Sequence, residues 1–183
     1  MFCFDHNNQF MKAFYHLPAV LAVALTVSCM KNDRDKSHLV TGNDKNFLIQ
    51  ASHSNFAAIT AGNLAAAKAS TDAIRLFGQM MAANHLKAQA GIDSLAFIHG
   101  IGVPKMADSP YLTIMQPLAH LSGRSFDSAY TKSQVADHRQ AIDLFKAEID
   151  EGNNKAIKDF AARALPAIQM HYEAAMRLAQ PYQ

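Results

Sequence analysis

Tryptophan is absent from the 183 residues, and cysteine (2), proline (6) and glycine (8) are scarce. So little glycine and proline disfavours turn-rich β folds and collagen-like repeats. The two cysteines are Cys3 and Cys29, so the chain beyond residue 29 has no disulfide and no thiolate metal site. Charge of one sign is lacking as well: 17 basic residues stand against 15 acidic ones, a net of +2. That balance excludes the clustered Lys and Arg of a nucleic-acid surface and the runs of like charge that keep a tail disordered. No G-x-G-x-x-G or Walker loop occurs, so no nucleotide is expected, and no G-x-S-x-G elbow offers a nucleophile.

What is present begins with an address. From Met11 the chain reads MKAFYHLPAVLAVALTVSC, with Lys12 ahead of an apolar run from Ala13 to Val27. That is the layout of a secretory signal, and it is short for a membrane-spanning helix. The preceding MFCFDHNNQF fits no part of such a signal, so Met11 is the expected true start. The run ends in Leu25-Thr26-Val27-Ser28-Cys29, which resembles a bacterial lipobox. Cys29 is then the lipidated residue, residues 1–29 are the signal, and residues 30–43 (MKNDRDKSHLVTGN) are a polar, flexible tether. Met30 stands where an aspartate would retain a lipoprotein at the inner membrane. The expected location is therefore the bacterial cell envelope, lipid-anchored and facing the periplasm, with the outer membrane favoured.

Residues 44–180 read as all-α. Between Asn46 and Gly100 there is no proline and alanine dominates, a composition that loses little entropy on becoming helical. Asn43 or Asp44 is the expected cap of helix one, which runs to about Ala69. Ser70-Thr71-Asp72 opens helix two, to about His99. After a Pro- and Gly-containing link, Ser109-Pro110 starts a short helix. Ser125 is the expected cap of helix three, to Glu151. Asn153 or Asn154 caps helix four, to about Gln180, with Pro166 inside it. Each long helix carries an apolar stripe at helical spacing, such as Ile74, Phe77, Met81, Ile92 and Leu95 on helix two. Helix one has a face of small residues, Ala51, Ala58, Ala61, Ala65 and Ala69, that lets a neighbour approach closely. Short links make helices one and two, and three and four, antiparallel pairs. The long middle link with its short helix permits a ferritin-like crossover in a four-helix bundle.

Three segments carry a resemblance: F-x-Q-x-M-x-x-x-H at Phe77–His85, F-D-x-x-Y-x-x-x-x-x-x-D-H at Phe126–His138, and L-P-x-x-x-x-H at Leu165–His171. In order and spacing they resemble the domain of unknown function 4142 family, bacterial envelope proteins with a ferritin-like bundle. The resemblance implies the fold and places histidines at 85, 138 and 171, but brings no activity with it. Family members often carry a Glu on helix one and an Asp before the first histidine; here those positions hold Ala58 and Asn84.

His85, His138 and His171 each fall on the apolar stripe of their own helix. Imidazole is the commonest metal ligand, and three rings converging in a bundle suit one zinc, copper or iron ion. Asn84, Asp137 and Met81 are the candidate neighbours of that site. The competing reading makes them neutral core histidines, bonded to one another, to Asn84 or Asp137, or to a buried water. Ferritin-like di-iron sites need four glutamates, two of them in Glu-x-x-His; Glu148, Glu151 and Glu173 are the only glutamates and none is in such a motif. No catalytic residue is assigned. The expectation is a non-enzymatic, lipid-anchored bundle with a binding or structural role toward an envelope partner, without a cofactor; the alternative is a protein holding a single transition-metal ion.

Overall fold

Thr41 and Asp44 close a capping box at the start of α1 (Gly42–Lys68) in the computed structural model, which describes residues 36–183. The Thr41 hydroxyl accepts from Asp44 N, and the Asp44 carboxylate accepts from Thr41 N at 2.6 Å. The cap is therefore Thr41, not Asn43 or Asp44. α2 (Asp72–Ile98) starts from Thr71, α3 (Ser109–His120) from Asp108, α4 (Gly123–Glu151) from Ser122 and α5 (Lys155–Ala179) from Asn154. α4 and α5 are the third and fourth long helices of the sequence reading. Ser125 falls inside α4 rather than capping it, and Asp108, whose Oδ1 accepts from Tyr111 N at 3.3 Å, displaces Ser109 as the cap of α3. Pro166 lies within α5 without ending it.

The signal segment 1–29, the start at Met11, Cys29 and the first part of the tether lie outside the described residues. The second part of the tether needs correction. Asn154 Nδ2 donates to His38 O at 2.8 Å and Asn153 Nδ2 donates to Leu39 O at 2.7 Å, so the chain is already docked on the start of α5 before α1 begins.

Two buried aspartates latch the ends of the bundle. Asp44 also accepts from the backbone N–H groups of Asn153 and Asn154, at 3.0 and 2.9 Å, so one carboxylate serves the first turns of both α1 and α5. Burial opposes its charge, but the hydrogen bonds from Thr41, Asn154 and Asn153 outweigh it and hold the carboxyl below its ordinary value. Glu148 packs beside it, and burial together with the Asp44 charge pushes the Glu148 carboxyl up to about 8. At the other end, Asp127 accepts from Ser70 N at 2.9 Å, from Ser70 Oγ, and from Tyr182 Oη at 3.2 Å.

These bonds define the connectivity. The α1–α2 turn lies beside the start of α4 and the C-terminal end of α5, so α2 and α4 run in the same direction and α1 and α5 in the other. The crossover travels back along α1: Ser52 Oγ donates to Pro104 O at 2.6 Å, His53 Nδ1 meets Met106 O at 2.8 Å, and Lys68 Nζ reaches Ala119 O. This is the up-down-down-up order of a ferritin-like bundle, with α3 packed against α1 and α4.

The core is divided in two along the helix axes. One cluster gathers Ala61, Ala65, Phe77, Met81, Phe126, Tyr130 and Ala175; the other gathers Phe47, Leu48, Ala51, Ile92, Phe145, Ile157 and Ile168. On every long helix a polar residue falls between the two: Asn55, His85, His138 and His171, all buried.

α1 and α2 touch backbone to backbone. A Cβ on Gly78 would come within 2.6 Å of Gly62 O, and one on Gly62 within 2.6 Å of Gly78 O. Gly78→Ala is expected to force the pair apart and cost about 1–3 kcal/mol by chemical denaturation; a stability equal to the unsubstituted chain would show that the helices part freely.

Candidate metal centre

Each of the three imidazoles is anchored through one ring nitrogen. His85 Nδ1 lies 2.8 Å from Asn55 Oδ1, and His138 Nδ1 lies 2.9 Å from the backbone oxygen of Gln134, one turn earlier on α4. Both acceptors are oxygens, so both rings carry their proton on Nδ1 and present a bare Nε2. His171 is anchored the other way round, with Nε2 accepting from Asn84 Nδ2 at 3.1 Å.

The other nitrogens converge. The three ring centroids form an equilateral triangle of side 5.5 Å, and one nitrogen from each ring lies within 4.8 Å of the others. His85 Nε2, His138 Nε2 and His171 Nδ1 are buried and have no hydrogen-bond partner among the described residues. Burial pushes His85 down to about 3, helped by the charges of His138 and His171, and pushes His171 down to about 4, helped by His138. For His138 burial again lowers the pKa, against the opposing bond to Gln134 O. At neutral pH all three rings are uncharged, the form in which imidazole binds a metal.

Local packing explains the placement. Asn55 is a short side chain, and it reaches His85 across the close α1–α2 contact. It also donates to Gln89 Oε1 at 3.3 Å, and Gln89 Nε2 donates to Ser52 Oγ at 2.9 Å, so a polar ladder continues away from the ring. None of Ser52, Asn55 and Gln89 stands out in the sequence as a site residue. The available signal is a polar side chain at a stripe position, as with Gln89 one turn after His85. Gln134, one turn before His138, is buried with both amide atoms unpartnered among the described residues.

The other candidates divide. Asn84 touches His171 directly. Asp137, with Ala58, Tyr111, His85 and His138, lines a cavity of about 10 Å³, and burial pushes its carboxyl up to about 6. That volume is about the size of one water. Met81 belongs to the apolar cluster with Phe77 and Tyr130, where its sulfur fills core. Met80, Met170 and Met176 are exposed. The alanine and asparagine noted as departures from the family pattern, Ala58 and Asn84, thus both stand at the site.

The family described as a domain of unknown function (DUF4142) matches residues 30–178. The chain belongs to DUF4142. No curated protein and no solved structure matches it. This DUF4142 bundle therefore has a mid-height layer in which three histidines from three helices face one another and acids stand back.

The buried rings tie stability to pH. A histidine whose folded pKa is depressed contributes stability above its unfolded value of about 6.5, and that contribution is lost as pH falls toward the folded value. Glu148 acts in the opposite sense, because its raised pKa costs stability as pH climbs from about 4.5 to about 8. The informative quantity is the difference between variants. The melting temperature of metal-free protein is expected to fall less between pH 7 and pH 4.5 in His171→Gln than in the unsubstituted chain; identical slopes would mean that the ring is not held neutral.

Proposed function

We propose that this protein binds a single transition-metal ion through His85 Nε2, His138 Nε2 and His171 Nδ1. The observation that carries the reading is the convergence of three unpartnered, buried nitrogens whose rings are already oriented from behind. Core histidines that served packing alone would gain by satisfying those atoms, because an unmet buried polar atom costs about 1–3 kcal/mol. A metal-bound histidine, by contrast, typically donates its second N–H to an oxygen, as His85 and His138 do to Asn55 and Gln134. His171 meets the same rule once the Asn84 amide turns half a revolution, presenting Oδ1 to an Nε2–H and freeing Nδ1.

Zinc–imidazole bonds of about 2.0–2.1 Å set tetrahedral nitrogens about 3.4 Å apart, and the three here already lie within 4.8 Å of one another, so ligation needs only a small inward shift. The small cavity beside His85, His138 and Asp137 suits a water as fourth ligand. Zinc, copper and iron all accept this imidazole set. With no Glu-x-x-His on any helix and no glutamate among the residues around the three rings, a bridged pair of metals lacks its ligands, and the reading is of a protein that holds or passes on one ion, without catalysis.

The same proposal places the bundle in the bacterial envelope, facing the periplasm and tethered at Cys29, with the outer membrane favoured and an envelope protein as the class of partner. The lipobox-like LTVSC and the polar stretch that follows support it.

Elemental analysis of residues 30–183, prepared without chelators, is expected to give about one zinc, copper or iron per chain. His138→Ala should lose it and His99→Ala should keep it. A folded protein that refuses metal, or metal retained in alanine variants at all three positions, overturns the reading. Independently, Cys29→Ser is expected to move the protein from the membrane to the soluble fraction, and unchanged fractionation would remove the anchor.

A further inference from the structure

On the side of the histidine layer facing α2 and α5, a half-open pocket of about 420 Å³ reaches in between the helices. All four long helices line it with alanine: Ala51, Ala88, Ala141 and Ala164. Phe145, Phe160 and Ile168 form its apolar wall, and His85, Asn84 and His171 form its floor. Phe160 leans across to α2, where a Cβ on Gly91 would come within 2.7 Å of its ring, so the space ends there. Lys87 on α2 and Arg163 on α5 stand exposed at its edge. Neither makes an ion pair within 4 Å among the described residues, although the Arg163 charge acts on Asp159 one turn earlier, and no acidic residue lines the space.

Helix interfaces are normally close-packed, so a pocket of this size reaching in between them leaves room for a ligand from solvent. Its alanine, phenylalanine and isoleucine walls offer ordered water no partners, and a buried water needs two to four, so water is favoured only at the polar floor of Asn84, His85 and His171. Two exposed cations at the opening of an apolar space, neither in a close ion pair, favour an amphipathic anion. We infer that the cavity binds a small monocarboxylate with an apolar body, of the class of a medium-chain fatty acid. The carboxylate pairs with Lys87 and Arg163 at the opening, and the chain lies against Phe145, Phe160 and Ile168. At roughly 30 Å³ per water-sized group, the volume admits about 14 such groups, enough for a chain of about ten carbons with its headgroup. This site stands beside the histidines and requires no metal, so it goes beyond the metal reading and does not rest on it.

The test uses metal-free protein, residues 30–183, whose bundle closes its own core, and decanoate as the probe. Calorimetric titration is expected to show one decanoate per chain, with decanol about tenfold weaker because it lacks the charge. The double variant Lys87→Gln/Arg163→Gln should weaken decanoate about tenfold and leave decanol unchanged. Ala164→Phe, which fills the cavity, should abolish both; Ala167→Leu, from the same wall, replaces it where Ala164→Phe lowers the melting temperature. Absence of decanoate binding to the folded protein overturns the inference. So does binding that survives both filling variants, or decanol bound as tightly as decanoate. Because no metal is present, each of these results leaves the histidine reading untouched, and loss of metal binding leaves this one untouched.

Discussion

The contact between Gly62 and Gly78 sets the spacing on which the rest of the interior is built. With no side chains between them, α1 and α2 meet at their backbones, and the alanines of α1 keep the pair close along its length. Only at that separation can Ser52 and Asn55, two of the shortest polar side chains, bond across to Gln89 and His85. Asn55 in turn decides which nitrogen of His85 carries the proton. A helix pair held apart by leucines would have needed longer side chains with more rotamers, and the ring would be less sharply oriented.

A polar layer inside an apolar bundle has a structural cost, and the molecule distributes it unevenly. One nitrogen of every imidazole is satisfied by a neutral oxygen or amide from the protein, while the second is left facing its counterparts. Burial keeps the rings from resolving the problem by protonation, because three cations within 5.5 Å of one another would repel strongly in a medium of low polarity. The nearest acid, Asp137, is itself partly desolvated, and burial pushes its carboxyl up to about 6. Three unmet nitrogens therefore face one another between the two apolar clusters.

Much of this was legible in the chain. Helical periodicity and alanine content gave four long helices, and the three histidines stood on the stripes because the apolar residues one turn to either side defined those faces. The caps moved by a few residues because Thr41, Asn43, Asp44, Ser109, Ser122 and Ser125 all have capping chemistry, and the choice among them depends on what packs nearby. Asp44 read as a candidate cap; its partners at Asn153 and Asn154 are separated from it by 109 and 110 residues, a relation that no local pattern encodes. Asp127 and Ser70, 57 residues apart, escaped for the same reason. The alanine-lined cavity was equally hidden, because alanine on a stripe reads as close packing. Whether alanines from four helices meet or leave a gap is decided only when they come to the same height.

The junction at Asp44 has a mechanical consequence. Any pull on the bundle from its N-terminal side reaches residues 36–41 first. Those residues are stitched to Asn153 and Asn154 through His38 and Leu39, while the same two residues donate their N–H groups to Asp44. Tension entering there is divided between the first turns of α1 and α5, the helices that begin at that end of the bundle. Tension there converges on a single carboxylate clamped by two helix starts, and residues 36–41 cannot be drawn away without opening both.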